Sequence, residues 1–320
     1  MTPTELSRTV AHAVRRAVAD GVLSAPVPES VVVARPRPGG CGDYATNVAL
    51  RLAGVAGQPA RGVAEILRER IADLPGVADV EITGPGFLNI TLEKGTRQAL
   101  VRRVLEQGTD YGQPGGAQRV PAGHESRERL WAQAVAALRR GQGRDRGDAD
   151  VPRPVPYRSA GAGDLTTDAH HWGLLSAAAH DRPRMGPWLL RQHESNPLFT
   201  VRYAHSRAHA LTRGAARLGF TGQAPAEGDG TSDGMSVLIG LIEDYPPTLA
   251  DAARLGAPDR VARHLERVAE ALLAFQHTVL PVGDEKPSAA HRSRLALAEA
   301  AGTVLAGGLS LLGVSAPVHL

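Results

Sequence analysis

The chain has 320 residues, enough for about two domains that each bury a core of their own, so a disulfide-stapled miniprotein is excluded. The single cysteine, Cys41, cannot form an internal bridge, no apolar run reaches the ~18–20 residues that span a bilayer, and no leader pattern opens the chain; the expectation is a cytoplasmic protein. The pI near 9.3 suggests nucleic acid, but the cations are almost all arginine and spread evenly: residues 1–112 carry 13 basic and 12 acidic side chains and residues 195–320 carry 11 and 12. Neither end has the surplus that drives nonspecific phosphate binding, so any nucleic acid has to be held by shape and a few placed contacts.

In chain order, Leu6, Val10, Ala13, Val14, Ala17 and Val18 recur at helical spacing and predict an amphipathic helix over Thr4–Ala19. Val31–Ala34 is a short β-branched run closed by Pro36, Pro38 and Gly39-Gly40. Helices fit Thr46–Leu52 and Gly62–Ile71, the first with Asp43 as its cap. Val77–Thr83 and Phe87–Glu93 alternate around Gly84-Pro85-Gly86 and read as two strands meeting at a tight turn, followed by a helix over Gly95–Gln107. If Leu88 and Ile90 face the core, Phe87 and Asn89 point outward, where an aromatic and an amide can stack on and hydrogen-bond an unstacked base. The bland alternative, in which Phe87 packs under the first helix and Asn89 satisfies a turn, is weighted equally.

From Gly115 the character changes. One helix fits Ser126–Arg140; Gly141 to Asp148 is then a polar glycine-charge tract, and Pro152, Pro154 and Pro156 space the segment after it. This reads as a linker, and flexible-chain scaling gives a span of roughly 40 Å for about 50 residues. Periodicity returns near Thr167. Beyond Ser195 nearly everything reads as helix, with one apolar stripe at Val261, Leu265, Val268, Leu272 and Phe275 and another at Leu295, Ala298, Val304, Leu305, Leu309 and Leu312. The fold class expected is an α+β N-terminal domain joined by a partly flexible linker to an all-α helical bundle, partitioned 1–112, 113–165 and 166–320.

Single features carry little chemistry. His170-His171, with His180 and His193, lack the paired cysteines and compact spacing of a zinc site, and Cys41 has no catalytic histidine pattern near it. Gly39 to Asp43 lacks the Lys-Ser/Thr ending of a phosphate-cradling loop. No catalytic residue, metal or cofactor is expected.

Four stretches resemble one family. Gly42-Asp43-Tyr44-Ala45-Thr46-Asn47-Val48-Ala49-Leu50 and Gly84-Pro85-Gly86-Phe87-Leu88-Asn89-Ile90 are similar to the N-terminal additional domain of the arginyl-tRNA synthetases. Asn196-Pro197-Leu198-Phe199-Thr200-Val201-Arg202-Tyr203-Ala204-His205-Ser206-Arg207 resembles the entry into that family's DALR-type anticodon-binding domain, and Arg294 to Ala300 with Leu309 to Pro317 resembles its last helices. Only about 80 residues separate Gln113 from Ser195, whereas the family's class I catalytic core needs several hundred, and no His-x-Gly-His occurs in the chain. The resemblance therefore implies a paralogue without the adenylate-forming core, not an enzyme, that binds tRNA and in particular tRNA(Arg).

By the same resemblance, Asp43, Tyr44, Asn47, Phe87 and Asn89 face the tRNA elbow, and Arg202, Tyr203, His205, Arg207, Phe275 and Leu320 face the anticodon. The chain departs from the family at Phe275-Gln276, where an aromatic pair is shortened, and at Pro317-Val318-His319-Leu320, where the family closes on Pro-x-Arg-Met. The loss of an aromatic platform and an arginine should weaken stacking and phosphate contact. Two further readings stay open: the bundle reused as a protein-interaction or regulatory module without RNA, and support of a full-length synthetase in trans.

Overall fold

A computed structural model describes residues 3–28, 31–34, 36, 41–93, 95–123, 126–144, 151–157, 165–224 and 233–320. Gly39-Gly40, His124 and residues 145–148 of the glycine-charge tract lie outside these. The chain divides into two compact units, Met1–Leu100 and Val101–Leu320, with the boundary inside helix α4 (Gly95–Gln107) rather than at residue 112.

The first unit is a four-stranded antiparallel sheet with helices on one face. Strands β1 (Val33–Ala34), β2 (Tyr44–Thr46), β3 (Val77–Thr83) and β4 (Phe87–Leu92) run in the order β1-β2-β4-β3. Helices α1 (Pro3–Ala19), α2 (Val48–Ala56) and α3 (Ala60–Ala72) cover it; the α1 stripe of Leu6, Val10, Ala13, Val14 and Ala17 is fully buried, as are Leu67 and Ile71 of α3 and Leu88 and Ile90 of β4. The expected helix at Thr46–Leu52 starts two residues later, because Tyr44–Thr46 is spent on β2. Thr46 makes the transition: its hydroxyl donates to the Val32 carbonyl at 2.8 Å and accepts from Val48 N–H at 3.3 Å. Asp43 is not the helix cap. Its N–H donates to the Ile90 carbonyl at 2.9 Å and its Oδ2 accepts from Leu92 N–H at 2.9 Å, so it ties the start of β2 to β4.

The second unit is helical. Helix α7 (Pro197–Arg217) packs against α10 (Asp259–Phe275) and α11 (Ala289–Leu311), with α8 (Asp233–Glu243) and α9 (Tyr245–Leu255) on the far side of α10. Both stripes expected in α10 and α11 are buried. Small residues let the long helices close: a Cβ on Gly302 would come within 2.9 Å of the Ala208 methyl, and one on Gly308 would strike Leu265.

Within residues 113–165, the segment read as a linker, helix α5 (Arg127–Gly141) is part of this unit. Ser126 caps it, Trp131 is buried and donates its indole N–H to the Gly256 carbonyl at 3.0 Å, and α5 packs on α9 and on α6 (Thr167–Leu175). Arg127 is fully buried without a carboxylate in hydrogen-bond contact. It donates instead to five carbonyls, those of Leu174 (3.2 Å), Val155 (3.0 Å), Asp181 (2.8 Å), Ala177 (3.0 Å) and Ala178 (2.8 Å). All five guanidinium hydrogens are thereby used. Burial alone lowers its pKa, and the arginine remains charged.

Candidate nucleic-acid interface

In the first unit the register sorts the expected tRNA contacts onto two faces. Residues directly opposite each other in an antiparallel pair share a face. Tyr44 lies opposite Ile90, so both point into the core, and Tyr44 is buried. Asn89 lies between Ala45 on β2 and Glu81 on β3, on the face away from the helices. Phe87 shares that face and is 41% exposed.

Asn89 is on the outward face but only 6% exposed, and its Nδ2 donates to Thr83 Oγ1 at 2.7 Å. Of the equal alternatives, Phe87 takes the outward one and Asn89 the internal one. The turn that aims Phe87 is pinned by Gly86, whose φ of 143° and closeness to the Ala60 carbonyl, 2.9 Å from a would-be Cβ, leave no space for a side chain. Gly42 is constrained the same way, at φ 79° against the Ile90 backbone. Exposed Asn47 precedes α2 and rims a separate apolar hollow of about 170 Å³ lined by Val27, Val31, Val48 and Val55. Glu81 beside the exposed Cys41 thiol raises its pKa, the opposite of what an activated nucleophile needs.

In the second unit α7 carries four of the expected contacts. Asn196 starts it, accepting from Leu198 N–H at 3.2 Å and donating to the Leu189 and Arg191 carbonyls at 2.9 and 2.8 Å, with Pro197 in the first turn. Tyr203 is 39% exposed and stacks on Phe199, ring centroids 5.5 Å apart, so an aromatic ledge faces outward. Arg202 pairs with Asp168 on α6 at 3.5 Å and donates to Ser315 Oγ at 3.3 Å. Arg207 donates to Gln276 Oε1 at 2.5 Å.

His205 is buried, its Nδ1–H donating to the Pro317 carbonyl at 3.0 Å, and burial lowers its pKa. Phe275 is 2% exposed at the end of the α10 stripe, so it packs in the core and presents no face to a base. Leu320 is half exposed. Sequence reasoning missed what lies between these residues. The tail after α11 runs along α7, with Ser206 Oγ donating to the Val318 carbonyl at 3.1 Å and Arg213 Nη2 donating to His319 Nδ1 at 3.4 Å. The spacing of Arg202, His205 or Ser206, His209 and Arg213, three or four residues apart, was the available signal for one helix face. Among the described residues no group of His, Cys, Asp or Glu gathers as metal ligands, and no helix is long and apolar enough to cross a membrane.

The two units are thus a sheet covered by three helices and a helical bundle along whose helix α7 the chain's tail runs. Family models identify both parts: residues 4–92 match the arginyl tRNA synthetase N terminal domain and residues 201–320 match the DALR anticodon binding domain. The chain carries these two domains of the arginyl-tRNA synthetases, and residues 93–200 lie outside both matches.

Among curated relatives, an arginine–tRNA ligase of Frankia alni is 47% identical over 112 residues, covering 35% of this chain and 20% of the relative. One of Clavibacter sepedonicus is 38% identical over 156 residues, covering 48% and 28%. The chain thus spans between a fifth and under a third of the length of these relatives. The arginyl-tRNA synthetases of Thermus thermophilus (TM-score 0.64, 13% identity) and Plasmodium falciparum (TM-score 0.61, 8% identity), each aligned over 100% of both chains, share the fold.

Proposed function

We propose that this chain is a non-catalytic relative of the arginyl-tRNA synthetases that binds tRNA, tRNA(Arg) in particular, with Phe87 facing the elbow and the α7 ledge facing the anticodon. The observation that carries the non-catalytic half lies between the two matched domains. Class I nucleotide binding needs a doubly wound parallel sheet. Among the described residues 93–200 there is no strand, and α5 and α6 are knitted into the helical unit through Arg127. On this reading 113–165 stands where the catalytic core would be.

Arginine-dependent ATP–pyrophosphate exchange tests the catalytic half; no exchange above background is expected, and robust exchange refutes it. Filter binding of tRNA(Arg) against an unrelated tRNA at two salt concentrations tests the RNA half. A preference for tRNA(Arg) that survives physiological salt is expected, whereas equal binding that vanishes there is charge attraction alone.

One observation favours the protein-interaction reading instead. The polar heads of Arg202, His205 and Arg207 are already engaged with Asp168, Pro317 and Gln276 inside the unit. Under that reading the titration shows no tRNA binding, and alanine substitution of Tyr203 leaves RNA retention unchanged.

A further inference from the structure

Three cationic or cationisable groups meet where the tail crosses the middle of α7. His209 is exposed one turn beyond His205, with the two rings edge to face at 4.7 Å. Arg213 follows one turn later, half-buried, and its guanidinium donates to Nδ1 of exposed His319. An arginine bonded to an imidazole rather than a carboxylate is an unfinished charge pair. Among the described residues no carboxylate lies within ion-pair distance of Arg213, His209 or His319. Glu299, which faces α7 from α11, is turned to Thr212 Oγ1 at 3.1 Å, and Asp168 is held by Arg202 and Ser315 two turns away. Gln276, facing from the turn after α10, is neutral and holds Arg207.

We propose that His209, Arg213 and His319 form a seat for a phosphate group, and that the seat is loaded by protonation of its two imidazoles. A guanidinium can only donate, so the contact with His319 Nδ1 is made by the tautomer that carries its proton on Nε2. When His319 is protonated that bond is lost, and both the imidazolium and the released guanidinium become donors. His209 adds a third donor from the next turn of the helix. The three donors then match the charge and acceptor oxygens of a phosphate, with Arg213 able to bind it bidentately.

The direction of the pH effect follows. Burial first, then the charge of Arg213, holds the His209 pKa below its ordinary value while the seat is empty. An anion in the seat offsets the charge of Arg213 beside His209, so binding favours the protonated imidazole and strengthens as pH falls. That the phosphate belongs to an RNA backbone rests on the tRNA-binding reading above; the seat itself does not.

The test uses the full chain. Imidazole resonances of His209 and His319 are followed by NMR against pH with and without inorganic phosphate, and affinity for a tRNA(Arg) transcript is measured at pH 6 and pH 8. Phosphate is expected to raise both imidazole pKa values. The transcript is expected to bind about fivefold tighter at pH 6 for each imidazole that joins a phosphate, at 0.15 M salt. His319→Asn and His209→Asn should each remove a share of that ratio, while Arg213→Gln weakens binding at both pH values.

Imidazoles that ignore phosphate, with transcript affinity equal at both pH values, overturn the seat and leave the tRNA reading intact. Imidazoles that respond to phosphate in a protein that binds no transcript overturn the tRNA reading and leave the seat as a site for free phosphate. A response to phosphate with pH-independent transcript binding assigns the seat to free phosphate as well.

Discussion

Asp168 and Ser315, 147 residues apart, are joined by two hydrogen bonds: Ser315 N–H to Oδ1 at 2.8 Å and Ser315 Oγ–H to Oδ2 at 2.5 Å. The same carboxylate pairs with Arg202 at 3.5 Å. One side chain at the start of α6 thus holds both the beginning of the tail and the first cation of the α7 face.

Replacing Asp168 with Ala should release the tail without unfolding the bundle. The carboxylate is about one-fifth exposed, so the lost hydrogen bonds are worth about 1–2 kcal/mol. Amide hydrogen exchange is the measurement: Ser315 should lose protection, and α10 should keep it. Unchanged exchange at Ser315 would mean the tail is held by its later contacts alone.

Arg127 supplies a second prediction. Removing its guanidinium strands five carbonyls, a loss partly offset because the guanidinium no longer has to be desolvated, and Arg127→Met should cost on the order of 3–5 kcal/mol. Lysine cannot rescue it, because three donors on one atom do not reach five carbonyls. The chain's three tryptophans, Trp131, Trp172 and Trp188, all lie in the second unit, so urea unfolding followed by tryptophan fluorescence reports that unit alone. A midpoint within about 0.5 kcal/mol of the parent would remove Arg127 as the keystone of the segment.

These two residues also mark where the sequence was legible and where it was not. The stripes of α1, α10 and α11 could be read because burial follows a 3.6-residue period that survives without knowledge of the partner. Strands β3 and β4 could be read because a Gly-Pro-Gly turn separates two alternating runs. Strand β2 could not: three residues are too few for alternation, and its existence depends on Asp43 and Gly42 meeting the backbone of β4. Arg127 looked like one charge among several in Ser126-Arg127-Glu128-Arg129, since its partners are main-chain carbonyls, which leave no mark in a sequence. For Phe275 the two readings diverge: the α10 stripe makes it a core position, which its burial matches, whereas the resemblance makes it an anticodon contact.

Phe87 and Asn89 separate binding from stability in the first unit. Phe87→Ala removes an exposed ring, so stability should change by no more than about 0.5 kcal/mol, while a stacked base lost from tRNA costs ~1–3 kcal/mol, about tenfold in Kd. Asn89→Ala should do the reverse, leaving Thr83 Oγ1 without its donor at a stability cost of about 1 kcal/mol and little direct effect on RNA. Anisotropy titration with tRNA(Arg), paired with thermal unfolding, reads both. Equal loss of affinity in the two variants would place both on the contact surface.

The last prediction concerns acid. His264 is buried on α10 beside Tyr245, with ring centroids 5.8 Å apart. Burial first, then the charge of Arg267, pushes its pKa down to about 4. In the unfolded chain the imidazole titrates near 6.5. Above that value both states are neutral and His264 contributes its full packing. Between 6.5 and 4 the unfolded chain takes up a proton that the folded chain refuses, so stability falls with pH through this window. At pH 5 the loss amounts to about 2 kcal/mol. Burial lowers the pKa of His205 as well, and its loss has the same sign. Tryptophan-monitored urea unfolding at pH 7.5 and pH 5 should show this drop in the parent and a smaller one in His264→Leu, which cannot take up the proton. If the leucine variant loses as much as the parent, the acid sensitivity of the bundle lies with His205 and the tail rather than with the α10 core.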